Sequence, residues 1–363
     1  MNLIQRFEKK LWGFPITRNL LSQNGATLYK TIYQLNTVLR FISVPRSVHI
    51  LLTTNCNCAC SHCEANAGIE NYELEAGIIK NILMSLIHRK TPRVIFTGGE
   101  PLLRSDIFEL ISFAKSAGLM VTLATNGLLV KPLQNKLKQA LPDSIFTSID
   151  GLKKTHEKTR GVKGSYSKTM EAIQIFSSMG IKNIMVNTVV TEENINFLEN
   201  IGTEIFNAGA TLWRLSPIMP VGRAKQQNKL SLSSKNIEKL IDFLCNTHFR
   251  PKIDLNQECS GLGPMDGKIR QQPFFCGAGY KICAIMATGD VVPCHVVYNS
   301  KASVGNIYEE EFDVLWKRCL QKIKQTPFFS ACNKCPFLKN CQGGCWGMRY
   351  NDNKCLNLQR YSL

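Results

Sequence analysis

The chemistry in this chain is concentrated in its cysteines. Four of the fifteen lie in Thr54-Asn55-Cys56-Asn57-Cys58-Ala59-Cys60-Ser61-His62-Cys63, and none follows until Cys245. Read as Cys56, Cys60 and Cys63, the thiols are spaced by three and then two residues. Iron–sulfur clusters are held by thiolates. A 4Fe–4S cube offers four irons, so three ligands leave one open, as a catalytic zinc keeps a vacant position. A small molecule that chelates the open iron can receive an electron there. Cys58 falls outside this register and is expected to be a non-ligand.

Nine more thiols crowd residues 276–355. Cys276, Cys283 and Gly289-x4-Cys294 come first, then Cys332-x2-Cys335-x5-Cys341-x3-Cys345 and finally Cys355. A Cys-x2-Cys pair alone suits a zinc ribbon. The eight thiols of this pattern, all but Cys319, are enough for two fully ligated 4Fe–4S clusters.

Composition sets the frame. Of 363 residues, 44% are hydrophobic and 20% charged, which excludes disordered and low-complexity classes. No apolar run reaches the roughly 18 to 20 residues that span a bilayer. Arg6, Lys9 and Lys10 are followed by Pro15 and Arg18 without an apolar signal core, so a cytosolic enzyme is expected. Thiols stay reduced in that compartment, which argues against a disulfide framework and for metal. Forty-four basic against 27 acidic residues give +17, an attraction for acidic partners.

The cysteine-free middle must position the first cluster. Apolar runs at 48–53, 94–97, 120–124, 144–149, 183–190 and 212–215 read as strands. Helical spacing separates them, at 74–87, 107–117, 131–140, 165–179 and 195–206. Such alternation argues for an α/β fold with a parallel sheet, open or closed into a partial barrel. Sites in those folds lie at the C-terminal strand ends, where the candidates here fall. Val94-Ile95-Phe96-Thr97-Gly98-Gly99-Glu100-Pro101 ends the second strand. Its glycines admit close approach of a ligand to the backbone, and Glu100 adds a carboxylate suited to a cationic amine. Asn126-Gly127 ends the third strand; Ser148 and Asp150-Gly151 end the fourth, with Arg160 shortly after. Asn-Gly and Asp-Gly are also strong turn formers, and turn chemistry is the competing reading there.

Together these residues resemble the radical S-adenosylmethionine (SAM) superfamily, whose signature has this cysteine spacing after the first strand of a partial (β/α)6 barrel. His62 stands where an aromatic residue is usual. The resemblance implies that Cys56, Cys60 and Cys63 hold a SAM-binding 4Fe–4S cluster. It also implies that Gly98, Gly99, Glu100 and Pro101 hold the amino group of SAM, and that Ser148 and Arg160, with Asn126, contact its ribose or carboxylate. The C-terminal pattern resembles the SPASM iron–sulfur domain, and the likeness covers essentially residues 48–355. It implies Cys276, Cys283, Cys294 and Cys345 at an inner auxiliary cluster, with Cys332, Cys335, Cys341 and Cys355 at an outer one. Three such clusters would lower the net charge to about +12.

The expected organisation is a basic amphipathic helical extension at 1–46, the barrel at 47–225, a helical or loop linker at 226–275 and the SPASM domain at 276–363. Leu28, Ile32, Leu35, Leu39 and Ile42 form the stripe of the extension, which suits outside packing on the barrel or contact with a membrane surface or acidic peptide. The resemblance implies reductive cleavage of SAM to a 5′-deoxyadenosyl radical and hydrogen abstraction from a substrate. A peptide or protein, acidic given the charge, is the expected substrate, undergoing oxidation, cross-linking or epimerisation. An amino sugar or tetrapyrrole precursor is the alternative, and a non-catalytic zinc or cluster protein stands behind both. A low-potential donor such as flavodoxin or ferredoxin would supply electrons. Nucleic acid ranks lower, for no recognition motif is present. Cys259 is a candidate hydrogen-atom donor to the substrate, weighed against an ordinary thiol; Cys319 reads as core. Anaerobically purified protein should carry sulfide-matched iron, about eight irons of it in the C-terminal module. Zinc in place of iron on elemental analysis would contradict the reading.

Overall fold

The computed structural model describes residues 44–219, 221–226, 231–254, 269, 276–297, 300–336, 338–341 and 343–350. The stripe at 28–42, Cys259 and Cys355 lie outside them. The chain divides into two compact units, one of Val44–Asp254 with Gly277–Thr326, the other of Met1–Ser43, Leu255–Cys276 and Pro327–Leu363. Among the described residues no helix is long and apolar enough to cross a membrane.

The first unit is built on strands β1 (Ser47–Leu51), β2 (Arg93–Thr97), β3 (Met120–Ala124), β4 (Ser144–Ser148), β5 (Asn183–Val190) and β6 (Leu212–Pro217). Helices cross between them: α1 (Ala76–His88), α2 (Ile107–Ser116), α3 (Val130–Gln139), α4 (Lys153–Arg160), α5 (Ser165–Ser178) and α6 (Leu198–Asn207). Helix α7 (Ser234–Asn246) follows β6, then β7 (Ile282–Ile285), β8 (Val291–Val292) and α8 (Phe312–Gln325). The sheet order is β6-β5-β4-β3-β2-β1-β7-β8, parallel throughout except for the antiparallel β7–β8 pair.

The parallel sheet is the reason the strands read as apolar runs, since both faces are covered. Val48, Val94 and Val121 form one row in register, all fully buried. Helix α1 buries Ile79, Ile82, Leu83 and Leu86, one helical stripe. The opposite row carries His49 and Ile95. Burial holds the His49 imidazole well below its ordinary value, helped by His295 and by Arg214 of β6. In a flat sheet β6 would lie five strands from β1, yet Arg223, just past β6, donates to the Cys60 carbonyl of the loop after β1 at 2.7 Å, so the sheet curls, with His49 and Arg214 on its inner side.

The strands and helices read from the sequence recur within a few residues of their expected bounds. Two elements, helix α4 and strand β7, were not legible there, while helix α7 falls within the expected helical or loop linker. Helix α4, Lys-Lys-Thr-His-Glu-Lys-Thr-Arg, buries only His156 and has no apolar periodicity to betray it. Helix α7, inside the expected linker, starts at Ser233, whose hydroxyl accepts from the Asn236 N–H at 3.4 Å. Strand β7 joins the far side of β1, a non-local pairing that no local pattern encodes. Trp213 anchors this end of the sheet, edge-on to Phe206, Phe243 and Phe249, with its indole N–H on Thr188 Oγ1 at 2.9 Å.

Candidate functional site

After β1 the chain leaves the sheet as an irregular loop that carries the first cysteines. Its backbone groups need partners, and the turn after β2 supplies them. The Gly99 N–H donates to the Thr53 carbonyl at 2.7 Å and the Glu100 N–H to the Asn55 carbonyl at 2.8 Å. A Cβ on Gly99 would fall inside contact distance of the Asn55 carbonyl, and Gly98 sits at φ +136°. The two glycines thus let two stretches of this chain's own backbone lie flush, joining the Gly-Gly-Glu-Pro turn to the cysteine loop. A cavity of about 300 Å³ borders the same turn, with Thr53, Gly98 and Gly99 on one wall and Met286, Thr288 and Asp290 on another.

Cys56, Cys60 and Cys63 are free thiols. Cys58 lies between the first two, 6% exposed, and its thiol hydrogen-bonds both neighbours. Its backbone N–H also donates to Cys56 Sγ at 3.4 Å. The consequences differ by residue. Cys58 itself is pushed up by those bonds and stays protonated. Cys60 is lowered to about 5, first by the Cys58 bond and also by the Arg160 charge, against burial. Cys56 is lowered by the same thiol, while burial raises Cys63. The Cys63 N–H closes the loop on the Cys60 carbonyl at 3.3 Å. Three reduced thiols on one short loop, Cys60 held as a thiolate and Cys56 shifted in the same direction, fit the donor chemistry of a three-cysteine cluster.

Two arginines pin this loop from behind. Arg223 donates from Nε to the Cys60 carbonyl at 2.7 Å and from Nη1 to the Ala67 carbonyl at 2.8 Å. Its backbone N–H reaches the Cys63 carbonyl at 3.0 Å. Arg223 carries no motif of its own beyond a Val-Gly-Arg step after β6. Arg160 ends α4, and its carbonyl accepts from the Ala59 N–H at 3.1 Å. Its guanidinium pairs with Asp150 at 2.6 Å and approaches Cys60 Sγ at 3.7 Å. Burial is the largest influence on the Asp150 carboxylate and works against it, but Arg160, His62, His156 and the Val189 N–H together outweigh it and hold Asp150 below the usual carboxylate range. His62 Nε2 stands 3.6 Å from the same carboxylate, and burial keeps its imidazole neutral to lower pH than usual.

The remaining candidates fall at adjacent strand ends. Glu100 is fully buried; Oε1 accepts from Leu102 N–H at 3.0 Å and Thr125 Oγ1 at 2.8 Å, and Oε2 from Asn126 N–H at 2.7 Å. Burial pushes it up to about 7 in spite of those donors. Pro101 opens the short 3₁₀ turn Pro101–Leu103, for which Glu100 is the cap. Asn126 donates from Nδ2 to Asn57 Oδ1 at 2.6 Å, beside Cys56 Sγ at 4.0 Å. Ser148 is half-buried on the interior row of β4, in register with Asn187 and, through it, Arg214. Of these residues Gly99, Glu100, Asn126 and Arg160 hydrogen-bond the thiol loop, while Ser148 lies at the end of β4.

The C-terminal thiols divide between the two units. Cys283 and Cys294 lie in the first, while Cys276, Cys332, Cys335, Cys341 and Cys345 lie in the second. Cys276 Sγ accepts from the Trp346 N–H at 3.3 Å, next to Cys345 in sequence. Cys283 is pushed well up, first by burial and then by the neighbouring Cys319 thiol.

The radical SAM superfamily model matches residues 50–201, and the SPASM model, an iron–sulfur cluster-binding domain, matches residues 276–336. An AdoMet-dependent heme synthase of Oleidesulfovibrio alaskensis is 29% identical over 323 residues, spanning 81% of this chain and 80% of that protein. Mycofactocin maturase MftC of Mycolicibacterium smegmatis is 29% identical over 307 residues, spanning 82% and 77% respectively. Among solved structures, SuiB of Streptococcus suis bound to S-adenosylmethionine shares the fold with a TM-score of 0.68 at 21% identity. It spans 84% of this chain and 73% of that one.

Two outcomes follow from the loop. Arg223→Ala should lower the iron retained by the Cys56–Cys63 loop roughly several-fold, with Arg223→Lys intermediate because an ammonium cannot fork to two carbonyls. Iron assay after a chelator challenge measures this, and unchanged retention in both would contradict the clamp. Glu100 has a folded-state value of about 7 against an ordinary 4.5. The native chain therefore keeps a proton that the unfolded chain releases, and stability from this group is lost as pH rises from about 4.5 to about 7. Glu100→Gln should flatten that part of the stability–pH curve of the iron-free chain in denaturant titrations. An unchanged slope would contradict the assignment.

Proposed function

The chain belongs to the radical SAM superfamily and carries a SPASM iron–sulfur domain; from that premise we propose that Cys56, Cys60 and Cys63 hold its SAM-binding cluster. The gathering of these three thiols on one arginine-pinned loop, against the Gly-Gly-Glu-Pro turn, is the observation that carries the reading. Held by these thiols, the cluster would supply one-electron reduction of SAM, the chemistry by which a radical SAM enzyme would abstract hydrogen from a substrate. The protein's own residues prepare the loop and the cavity. Cys58 and Arg160 keep Cys60 deprotonated, so the ligand is ready before metal arrives. Gly98 to Pro101 shape the rim where the amino group of SAM would lie, with the buried Glu100 carboxylate beneath it. Asn126 and Ser148 face the ribose or carboxylate side. Arg160, already committed to Asp150 and Cys60, serves the loop rather than the sulfonium ligand.

The curled sheet offers an interior for the second half of the reaction. Arg214 lies over the Phe146 ring, 5.6 Å from its centroid, and pairs with Asp254 at 2.7 Å. Ser216 donates to Asn187 Oδ1 at 3.3 Å, and His49 stacks on His295 with centroids 3.9 Å apart. These polar groups on the inner side of the sheet suit the binding of a polar substrate.

A peptide or protein is the proposed substrate, supported by the maturase relative and by the net charge of +17. Two auxiliary clusters in the C-terminal thiols would take up the electron left when the product is oxidised. A cytoplasmic flavodoxin or ferredoxin would deliver the first electron. A second reading, a tetrapyrrole precursor as substrate, is favoured by the heme synthase relative.

Incubation of iron-loaded protein with SAM and dithionite should release 5′-deoxyadenosine, and Cys60→Ala should release none. Fully loaded wild-type protein that yields none would overturn the radical chemistry. Mass spectrometry of a co-expressed peptide encoded beside the gene should show a modified residue. Conversion of an added tetrapyrrole, with the peptide untouched, would transfer the assignment to the second reading.

A further inference from the structure

The Cys56–Cys63 loop reaches the surface, where Ala59 is exposed and Cys56 and Cys63 are half-buried. Two turns fit flush against it. On one side the end of α4 runs along the loop, with the Ala59 N–H on the Arg160 carbonyl at 3.1 Å and the Ser61 N–H on the Thr159 carbonyl at 2.9 Å. Gly161 ends that helix at φ +69°, and a Cβ on it would stand 3.0 Å from the Ala59 carbonyl. On the other side lies the turn Gly222–Gln226, where a Cβ on Gly222 would overlap the Cys63 carbonyl.

Both turns carry lysine outward. His156 is the buried residue of α4. Lys154 and Lys158, two positions either side of it, stand on the opposite, solvent side of the helix, about one turn apart. Lys153 is exposed beside them, Lys163 follows Gly161, and Lys225 lies exposed in the second turn. The acids close by are turned in or engaged: Glu157 keeps Oε1 buried, Glu64 is half-buried, and Glu193 pairs with Lys158 at 2.6 Å. Among the described residues the other four lysines meet no carboxylate. The pattern works against the helix that bears it. Helix α4 has no acid in its first turn and places Lys153 and Lys154 there, where the helix dipole disfavours cations. Lys154 and Lys158 also repel each other at i, i+4. A local rule broken without an apolar face to compensate marks a charge that is put to use.

We infer that α4 and the two turns form the docking surface of a small acidic electron-carrier protein of the flavodoxin class, seated over the outer face of the Cys56–Cys63 loop. The inference rests on the reading of Cys56, Cys60 and Cys63 as cluster ligands. The carrier's flavin loses one electron and the cluster gains it; the lysines decide where the carrier sits. A substrate has to reach the inner side of the sheet, whereas an electron has to reach only the loop, and the charge lies against the loop. Complementary charge of this kind steers encounter and fixes orientation more than it adds affinity, which suits a partner that must leave after each electron.

The test is calorimetric binding of an oxidised bacterial flavodoxin to iron-loaded, full-length protein without oxygen. Lys154→Glu and Lys163→Glu should each weaken binding at low salt, and together by roughly tenfold, while added salt should bring the parent toward the same level. Lys182→Glu reverses a charge ahead of β5, at the opposite edge of the sheet, and should bind as the parent does. Reduction of the iron–sulfur absorbance by flavodoxin hydroquinone should slow in the double variant, with reduction by dithionite unchanged. The inference is overturned if the parent does not bind flavodoxin, if the double variant binds it equally well, if Lys182→Glu weakens binding as much as Lys163→Glu, or if a polyglutamate peptide binds the surface more tightly than flavodoxin. Failure of dithionite to reduce any iron in the parent would instead sink the cluster reading, a separate result that the binding series does not share.

Discussion

A reactive metal site on a loop must solve one problem before any other: the loop has no ladder of its own to hold it. In this protein the solution is backbone against backbone. The Thr53–Asn55 carbonyls accept from Gly99 and Glu100, and no side chain could stand between them. Arg223 then fastens the other end by holding the Cys60 and Ala67 carbonyls. Everything else in the site depends on that fixed path, because the three sulfurs inherit their positions from it.

Charge follows the same path. A guanidinium at Arg160 is buried beside a sulfur and a carboxylate, an arrangement stable only because Asp150 is there to pair with it. That pair in turn gives His62 a neighbour and leaves Cys60 as a thiolate. Glu100, without a cation beside it, is raised instead and tied by three donors. Two buried carboxyl groups, past the ends of β2 and β4 with β3 between, are therefore driven in opposite directions. One serves the cysteine loop, while the other knits β2 to β3.

Much of this was legible in the sequence, and the physical reasons for the rest are specific. Strand and helix alternation could be read from apolar spacing because a parallel sheet covered on both faces needs it. The thiol spacing and the Gly-Gly-Glu-Pro turn could be read because close backbone approach and metal ligation admit few residue types. Arg223 could not, for its partners are carbonyls 163 and 156 residues away, and carbonyls carry no side-chain signature. Helix α4 was missed because it is held at its ends rather than by an apolar face. Strand β7 could not be read either. It depends on its register against β1, which a cysteine count does not contain.

The most direct measurement is EPR of the dithionite-reduced, iron-loaded protein before and after addition of SAM. The account predicts that one component of the spectrum shifts while the auxiliary signals stay in place. Superimposable spectra from fully loaded protein would contradict it.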